Sequence, residues 1–323
     1  MRSSTSNSEY TRAPFTSAIL WLLGLIVLIC LCAEIGTRYG FSRVSRIQNR
    51  VDQEKTAFLT LHPGSSGAPR NIAIVGNSLL LFSVDIPLLN SLGSGKFHYS
   101  RFVLEQTQYV DWFFGLQRLF NEGARPDGIV LVLGANHWLA DAVRGEYFAY
   151  ELMRPLDIGN VARELNLDRT TASNYFFASL SAWLGGRAEI RKFLLSNIIP
   201  DLEQFVRVLN GGPPSYPGDD LIFEHTQERM ERIKSLCERY GVQLVSVLHP
   251  TLQSQAPFAA LSRAANVSGL PLVIPVAKME YPNSFYFDGY HLNTQGMDRF
   301  TRDLVHPLEA ALLANNAKLP SPS

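Results

Sequence analysis

Three short stretches of this chain combine residue types that can do covalent chemistry. Ser78 stands in Gly76-Asn77-Ser78, Asn136 in Gly134-Ala135-Asn136-His137, and Asp288 and His291 in Asp288-Gly289-Tyr290-His291. A serine hydroxyl is a weak nucleophile until a base takes its proton, and an imidazole serves as that base once a carboxylate holds its tautomer. Three apart in sequence, with only Gly289 and Tyr290 between them, Asp288 can accept from His291 Nδ1–H inside one loop and leave Nε2 for a partner. A side-chain amide such as that of Asn136 can donate to an oxyanion developing on an attacked carbonyl. Together these types could carry acyl transfer through a serine. Each stretch also has a plainer reading. A serine after a turn is a common helix N-cap, Gly and Asn are common in turns, and an Asp-His loop can be polar surface. Position must decide between them.

The elements that would position these residues alternate along the chain. Asn71–Val75 is a strand that stops at Gly76, so Ser78 falls in a strand-to-helix turn. Leu79–Leu92 has helical spacing, with Pro87 interrupting or restarting it, and Lys96–Phe102 is a second strand. Glu105–Glu122 places Tyr109, Trp112, Phe113, Leu116 and Leu119 near one side, the helical period. Gly128–Leu133 is a continuous apolar strand that ends at Gly134. His225–Tyr240 is an amphipathic helix closing at Gly241, Val242–Leu248 is the next strand, and Leu270–Val276 is a weaker strand broken by two prolines. Thr294–Asn315 is a final helix capped by Asn293 or Thr294. Strands alternating with helices imply a parallel sheet covered on both faces, and such sheets hold their sites at the C-terminal strand ends. All three stretches sit at or near such ends.

Order and context together resemble the SGNH hydrolase superfamily, the GDSL-like esterases and acyltransferases. In that family a Gly-Asp-Ser block carries the nucleophile, a Gly-x-Asn-Asp block carries an oxyanion Asn, and a C-terminal Asp-x-x-His block completes the triad. The segment D-G-Y-H-L-N-T-Q-G-M-D-R-F is similar to the family's usual ending. The resemblance covers about residues 70–315. It implies an α/β fold, a flavodoxin-like three-layer α/β/α sandwich with a mostly parallel sheet. It also implies Ser78 as nucleophile, His291 as base, Asp288 as its orienting acid, and Ser78, Asn136 and Gly134 around an oxyanion. No cofactor or metal is implied. Asn77 departs from the family's Asp, His137 replaces the Asp of the Gly-x-Asn-Asp block, and no Gly lies between Lys96 and Phe114, where the family has another oxyanion donor. His249, at the end of Val242–Leu248, is expected on the same rim as a spare polar group. Tyr286 and Tyr290 are expected to pack as aromatics or shape the pocket. The implied substrates are acyl, above all acetyl, esters on an envelope or exported glycan. Hydrolysis, transfer with a membrane acyltransferase partner, and a degenerate binding module all stay open.

Phe15–Ala33 contains no charged residue. Nineteen helical residues rise about 28 Å, enough to cross a bilayer core. The expected order is therefore a tail (1–14), a transmembrane helix (15–33), a stalk (34–70), the domain (71–316, with 138–220 a mostly helical insertion) and a disordered tail (317–323). Arg2 and Arg12 precede the span while Arg38, Arg43, Arg46 and Arg50 follow it, which by charge bias alone favours a cytoplasmic domain. The resemblance favours the extracytoplasmic side, and that is the expectation adopted. With 29 basic and 29 acidic residues the net charge is zero, so nothing points to nucleic acid. Three cysteines, two of them inside the apolar run, predict neither a disulfide framework nor a zinc site.

Overall fold

The computed structural model describes residues 13–199, 218–250, 257–276 and 281–316. The tail expected at 317–323, most of that at 1–14 and part of the insertion lie outside these residues. Five strands form one sheet: β1 (Arg70–Gly76), β2 (Phe97–Val103), β3 (Gly128–Leu133), β4 (Gln243–Leu248) and β5 (Leu272–Val273). Their order is β2-β1-β3-β4-β5 and every adjacent pair is parallel. This is the flavodoxin-like order, whose direction of winding reverses between β1 and β3. The inner strands are largely apolar on both sides because both sides are covered. Ile72, Ile74, Val130, Val132, Val245 and Val247 face one layer, while Ala73, Val75, Ile129, Leu131 and Leu133 face the other.

In chain order the helices are α1 (Ala13–Gly36), α2 (Ser42–Val44), α3 (Arg46–Leu59), α4 (Ser78–Leu81), α5 (Ile86–Leu92), α6 (Tyr109–Asn121) and α7 (Ala135–Leu139). They continue with α8 (Glu146–Leu152), α9 (Ile158–Glu164), α10 (Arg169–Leu180), α11 (Ala182–Ile198), α12 (Asp219–Arg239), α13 (Phe258–Ser268) and α14 (Thr294–Asn316). One layer is built from α4, α5 and α14, through Leu80, Leu89, Phe300, Leu304 and Leu308. The opposite layer uses α3, α6, α8, α12 and α13, through Phe58, Trp112, Leu119, Phe148, Met230 and Leu261. The result is three layers, α/β/α.

Several boundaries differ from expectation for local reasons. The helix expected over Leu79–Leu92 is two helices. Asp85 accepts from Leu88 N–H at 3.0 Å and restarts the chain as α5, with Pro87 in its first turn, where its missing N–H is harmless. α6 begins at Tyr109 rather than Glu105: Gln108 is extended, and Asp111 Oδ2 accepts from its N–H at 2.7 Å, closing the N-terminus. β5 shrinks to two residues between Pro271 and Pro275.

Residues 34–70, expected to be a stalk, are largely part of the fold. α1 passes through a π-helical turn (Thr37–Phe41) and α2 to a bend at Ser45, whose side chain caps α3. Val51 and Phe58 of α3 are buried in the core. Glu54 accepts from Val103 N–H and Arg101, and Arg50 donates to Val103 O and Glu105. Arg-rich composition hid an amphipathic helix whose charges pair with the end of β2. Above it, Ser17–Val44 follows a continuous helical path whose most apolar stretch is unburied, long and apolar enough to cross a membrane.

Candidate active site

The β1 and β3 ends bracket the reversal of strand order, where an open parallel sheet leaves a crevice. Gly76 closes β1. A Cβ there would run into the Val132 carbonyl oxygen of β3, so only glycine lets the two strand ends approach this closely. Asn77 follows, wholly buried, and caps α4 by accepting from Leu79 N–H at 3.0 Å. Its Nδ2 donates to Thr107 O at 2.9 Å, fastening the turn to the loop after β2. Ser78 is then the first residue of α4.

The loop that carries Asp288 and His291 is a narrow hairpin. Tyr286 and Leu292 bridge its stem, Phe287 N–H donates to His291 O, and Gly289 turns the tip at φ +77°. That turn allows Asp288 Oδ1 to accept from the N–H groups of both Tyr290 and His291, at 3.0 and 2.7 Å. Asp288 Oδ2 lies 2.8 Å from His291 Nδ1, and His291 Nε2 lies 2.9 Å from Ser78 Oγ. Partial burial pushes the Asp288 carboxyl up, but the two backbone donors and the imidazole outweigh it, and its pKa falls below the ordinary value. An ionised Asp288 favours the imidazole tautomer with its proton on Nδ1, and in that tautomer Nε2 faces the Ser78 hydroxyl as an acceptor. The imidazole is held by rings: Phe287 stacks on it at 5.5 Å and 12°, and Phe82 meets its edge at 5.2 Å. Both phenylalanines are exposed. Sequence reading missed them, although Phe82 lies one helical turn after Ser78 and Phe287 immediately before Asp288.

Asn136 stands on the first turn of α7, across the reversal point from Ser78. A Cβ on Gly134 would sit 3.1 Å from both Asn136 Oδ1 and His137 Nδ1, so the glycine makes room for these side chains to fold back. Gly134 thus serves by space. Asn136 Nδ2 donates to Tyr290 OH at 3.1 Å. Tyr290 OH also lies 3.3 Å from His137 Nε2. Expected mainly as packing, Tyr290 instead orients the amide, because Gly289 turns it inward beside His291. Tyr286 packs in the core as expected.

Two further histidines lie close beneath. His137 is buried and its pKa is lowered to about 4, first by desolvation and then by His291. His249 is not on the rim as expected. It is 1% exposed against Phe300, and its pKa is pushed down to about 3 by burial and by the two neighbouring histidines. Both are neutral at physiological pH. The loop after β2, where a glycine was expected and is missing, nevertheless takes left-handed backbone, at Gln106 with φ +63°. Among the described residues no cluster of His, Cys, Asp or Glu is arranged to hold a metal.

No family model matches the chain, and no curated protein is a significant match. Among solved structures it is similar to LAE5, an alpha/beta hydrolase enzyme from the metagenome of Lake Arreo, Spain. That pair shares 11% identity at a TM-score of 0.40, over 80% of this chain and 100% of the other. It is also similar to Axe2, an acetylxylan esterase from Geobacillus stearothermophilus, at 9% identity and a TM-score of 0.39, over 76% of this chain and 95% of the other. Both neighbours are hydrolases, and likeness at this level assigns neither a family nor an activity to this chain.

Proposed function

We propose that the chain is a membrane-anchored serine esterase of the SGNH type. The observation that carries the reading is the continuous line from Asp288 Oδ2 to His291 at 2.8 Å and from His291 to Ser78 Oγ at 2.9 Å. Ser78 Oγ attacks an ester carbonyl while His291 takes its proton. The oxyanion is held by Ser78 N–H and the Asn136 amide, which Tyr290 keeps in orientation. His291 then protonates the leaving alcohol, and the acyl-serine is released when His291 deprotonates water or an acceptor hydroxyl. The acyl group is small, most simply acetyl, and the alcohol a glycan on the extracytoplasmic side. Exposed Phe82 and Phe287 offer apolar faces on which the carbon face of a sugar ring packs.

The test is fluorophosphonate labelling of the full chain in detergent. Wild type should label, Ser78→Ala should not, and Asp288→Asn should label at least ~10²-fold more slowly, because the imidazole loses its tautomer. Equal labelling of Ser78→Ala would falsify the nucleophile. The location has its own check: a C-terminal reporter that is active only outside the cytoplasm should be active, and activity of a cytoplasm-only reporter overturns the assignment.

A second reading is a non-catalytic module with the same fold. It is favoured by the Tyr290 phenol, which already engages the one side-chain amide aimed at an oxyanion. Under that reading wild type does not label.

A further inference from the structure

The described surface carries a patch of large apolar side chains that the reaction does not use. Phe176, Phe177 and Leu180 near the end of α10 are 41%, 56% and 53% exposed, and Trp183 at the start of α11 is 42% exposed. Clustered apolar exposure of this kind marks a contact surface. Its occupant follows from where the patch sits on the anchor.

Glu34 directly follows the uncharged run of α1. Its carboxylate accepts from Ser181 Oγ at 2.7 Å, Ala182 N–H at 3.0 Å and Trp183 N–H at 3.1 Å, capping α11. Further along, a Cβ on Gly186 would lie 3.4 Å from Thr37 Cγ2, and Phe193 meets Phe41 edge-on at 5.9 Å. The pairs 34 with 181–183, 37 with 186 and 41 with 193 mean that α11 runs beside the anchor in the same direction. The N-terminal end of α11, and the end of α10 that leads into it, therefore lie level with the last apolar residues of the span. Arg43 and Arg46, both exposed, follow within the next turns. Aromatic side chains at the boundary and arginines just beyond it are what a headgroup region accommodates.

We infer that the α10–α11 junction rests against the surface of the bilayer that α1 crosses, with Phe177, Leu180 and Trp183 seated among the lipid headgroups. The inference rests on the reading of α1 as a membrane span. It makes the domain a body docked on the membrane by two contacts rather than one swinging on a tether. α3 runs antiparallel to β2, since Arg50 meets Val103 at the strand's C-terminal end, while Leu61 O accepts from Arg125 N–H ahead of β3. The anchor thus enters on the side of the sheet where the strands end, the side that holds Ser78 and His291.

The test uses the full chain in vesicles of phosphatidylcholine and phosphatidylglycerol containing doxyl-labelled lipid. Four tryptophans are present, and Trp112 and Trp138 are fully buried. In Trp21→Phe the lipid-sensitive emission comes from Trp183, and in Trp183→Phe it comes from Trp21. Trp183 should be quenched about twofold by shallow doxyl groups and less by deep ones, whereas Trp21 should show the reverse order. If Trp21 is quenched but Trp183 responds only to aqueous acrylamide, the docked surface is overturned and the span stands. Shielding of Trp183 from both quenchers means that a protein or second copy covers the patch, which also overturns it. If neither tryptophan is quenched by lipid, α1 does not span and the membrane reading itself fails.

Discussion

At the scale of single residues the site depends on hydrogen-bond direction as much as on position. Asn77 shows this most clearly. The resemblance expects Asp there, yet the buried side chain must donate to Thr107 O as well as accept from Leu79 N–H. A carboxylate can do only the second. Asn77→Asp should therefore lose about 1–3 kcal/mol of stability at neutral pH in urea denaturation, because an acceptor is forced against an acceptor. The loss should shrink in acid, where a protonated carboxyl can donate again. A loss that does not change with pH would place the effect elsewhere. The chain's departure from the motif thus has a local cause that the motif alone could not reveal. Tyr290 makes the same point from the other side: its ring looked like packing, and only the turn at Gly289 brings its hydroxyl to Asn136.

At the scale of elements, the strand ends act as a rigid rack on which the short helices α4 and α7 hold their first-turn residues. Directly after β4 stands a buried, uncharged imidazole. His249 has its pKa pushed to about 3 in the folded chain, against an ordinary value of 6.5. Between these pH values the unfolded chain binds a proton that the folded one does not, so the stability present above about 6.5 is lost as pH falls. His249→Leu should flatten the fall of Tm over that window while leaving fluorophosphonate labelling in place. An unchanged slope would mean that water or another group reaches the ring. The fold was legible at this scale wherever burial dominates. Gly128–Leu133 appears with the expected bounds, and β1, β2 and β4 within about one residue at each end. Where capping or proline governs, as at Asp85, Gln108 and β5, hydrophobic period ran past the true ends.

At the scale of the whole molecule, the largest revision concerns residues 46–59. Their sequence is charged and follows an apolar span, so it resembled a spacer. In the fold, Val51 and Phe58 are buried and Arg50, Glu54 and Lys55 pair with residues from β2, its following loop and α8. A chain beginning at residue 60 should be less stable than one beginning at residue 42 by on the order of 3–6 kcal/mol, from two large apolar side chains alone. Guanidinium unfolding of the two truncations decides this, and equal midpoints would show that α3 is dispensable. Because α3 is part of the core, α1 is held by the domain through a packed helix and the Glu34 cap, and its direction relative to the sheet is set.

From residue types and order alone, the chain announced a parallel α/β sheet, an apolar N-terminal helix and three strand-end motifs. Those features come from local burial pattern and from turns, which short windows of sequence encode. That Asp288, His291 and Ser78 lie within hydrogen-bond reach across more than two hundred residues is a matter of strand order and of one hairpin turn. The Tyr290 contact to Asn136, the burial of His249 and the seating of α11 beside the end of α1 are likewise non-local. They are set by how separate elements pack, and no periodicity within any one of them carries that information.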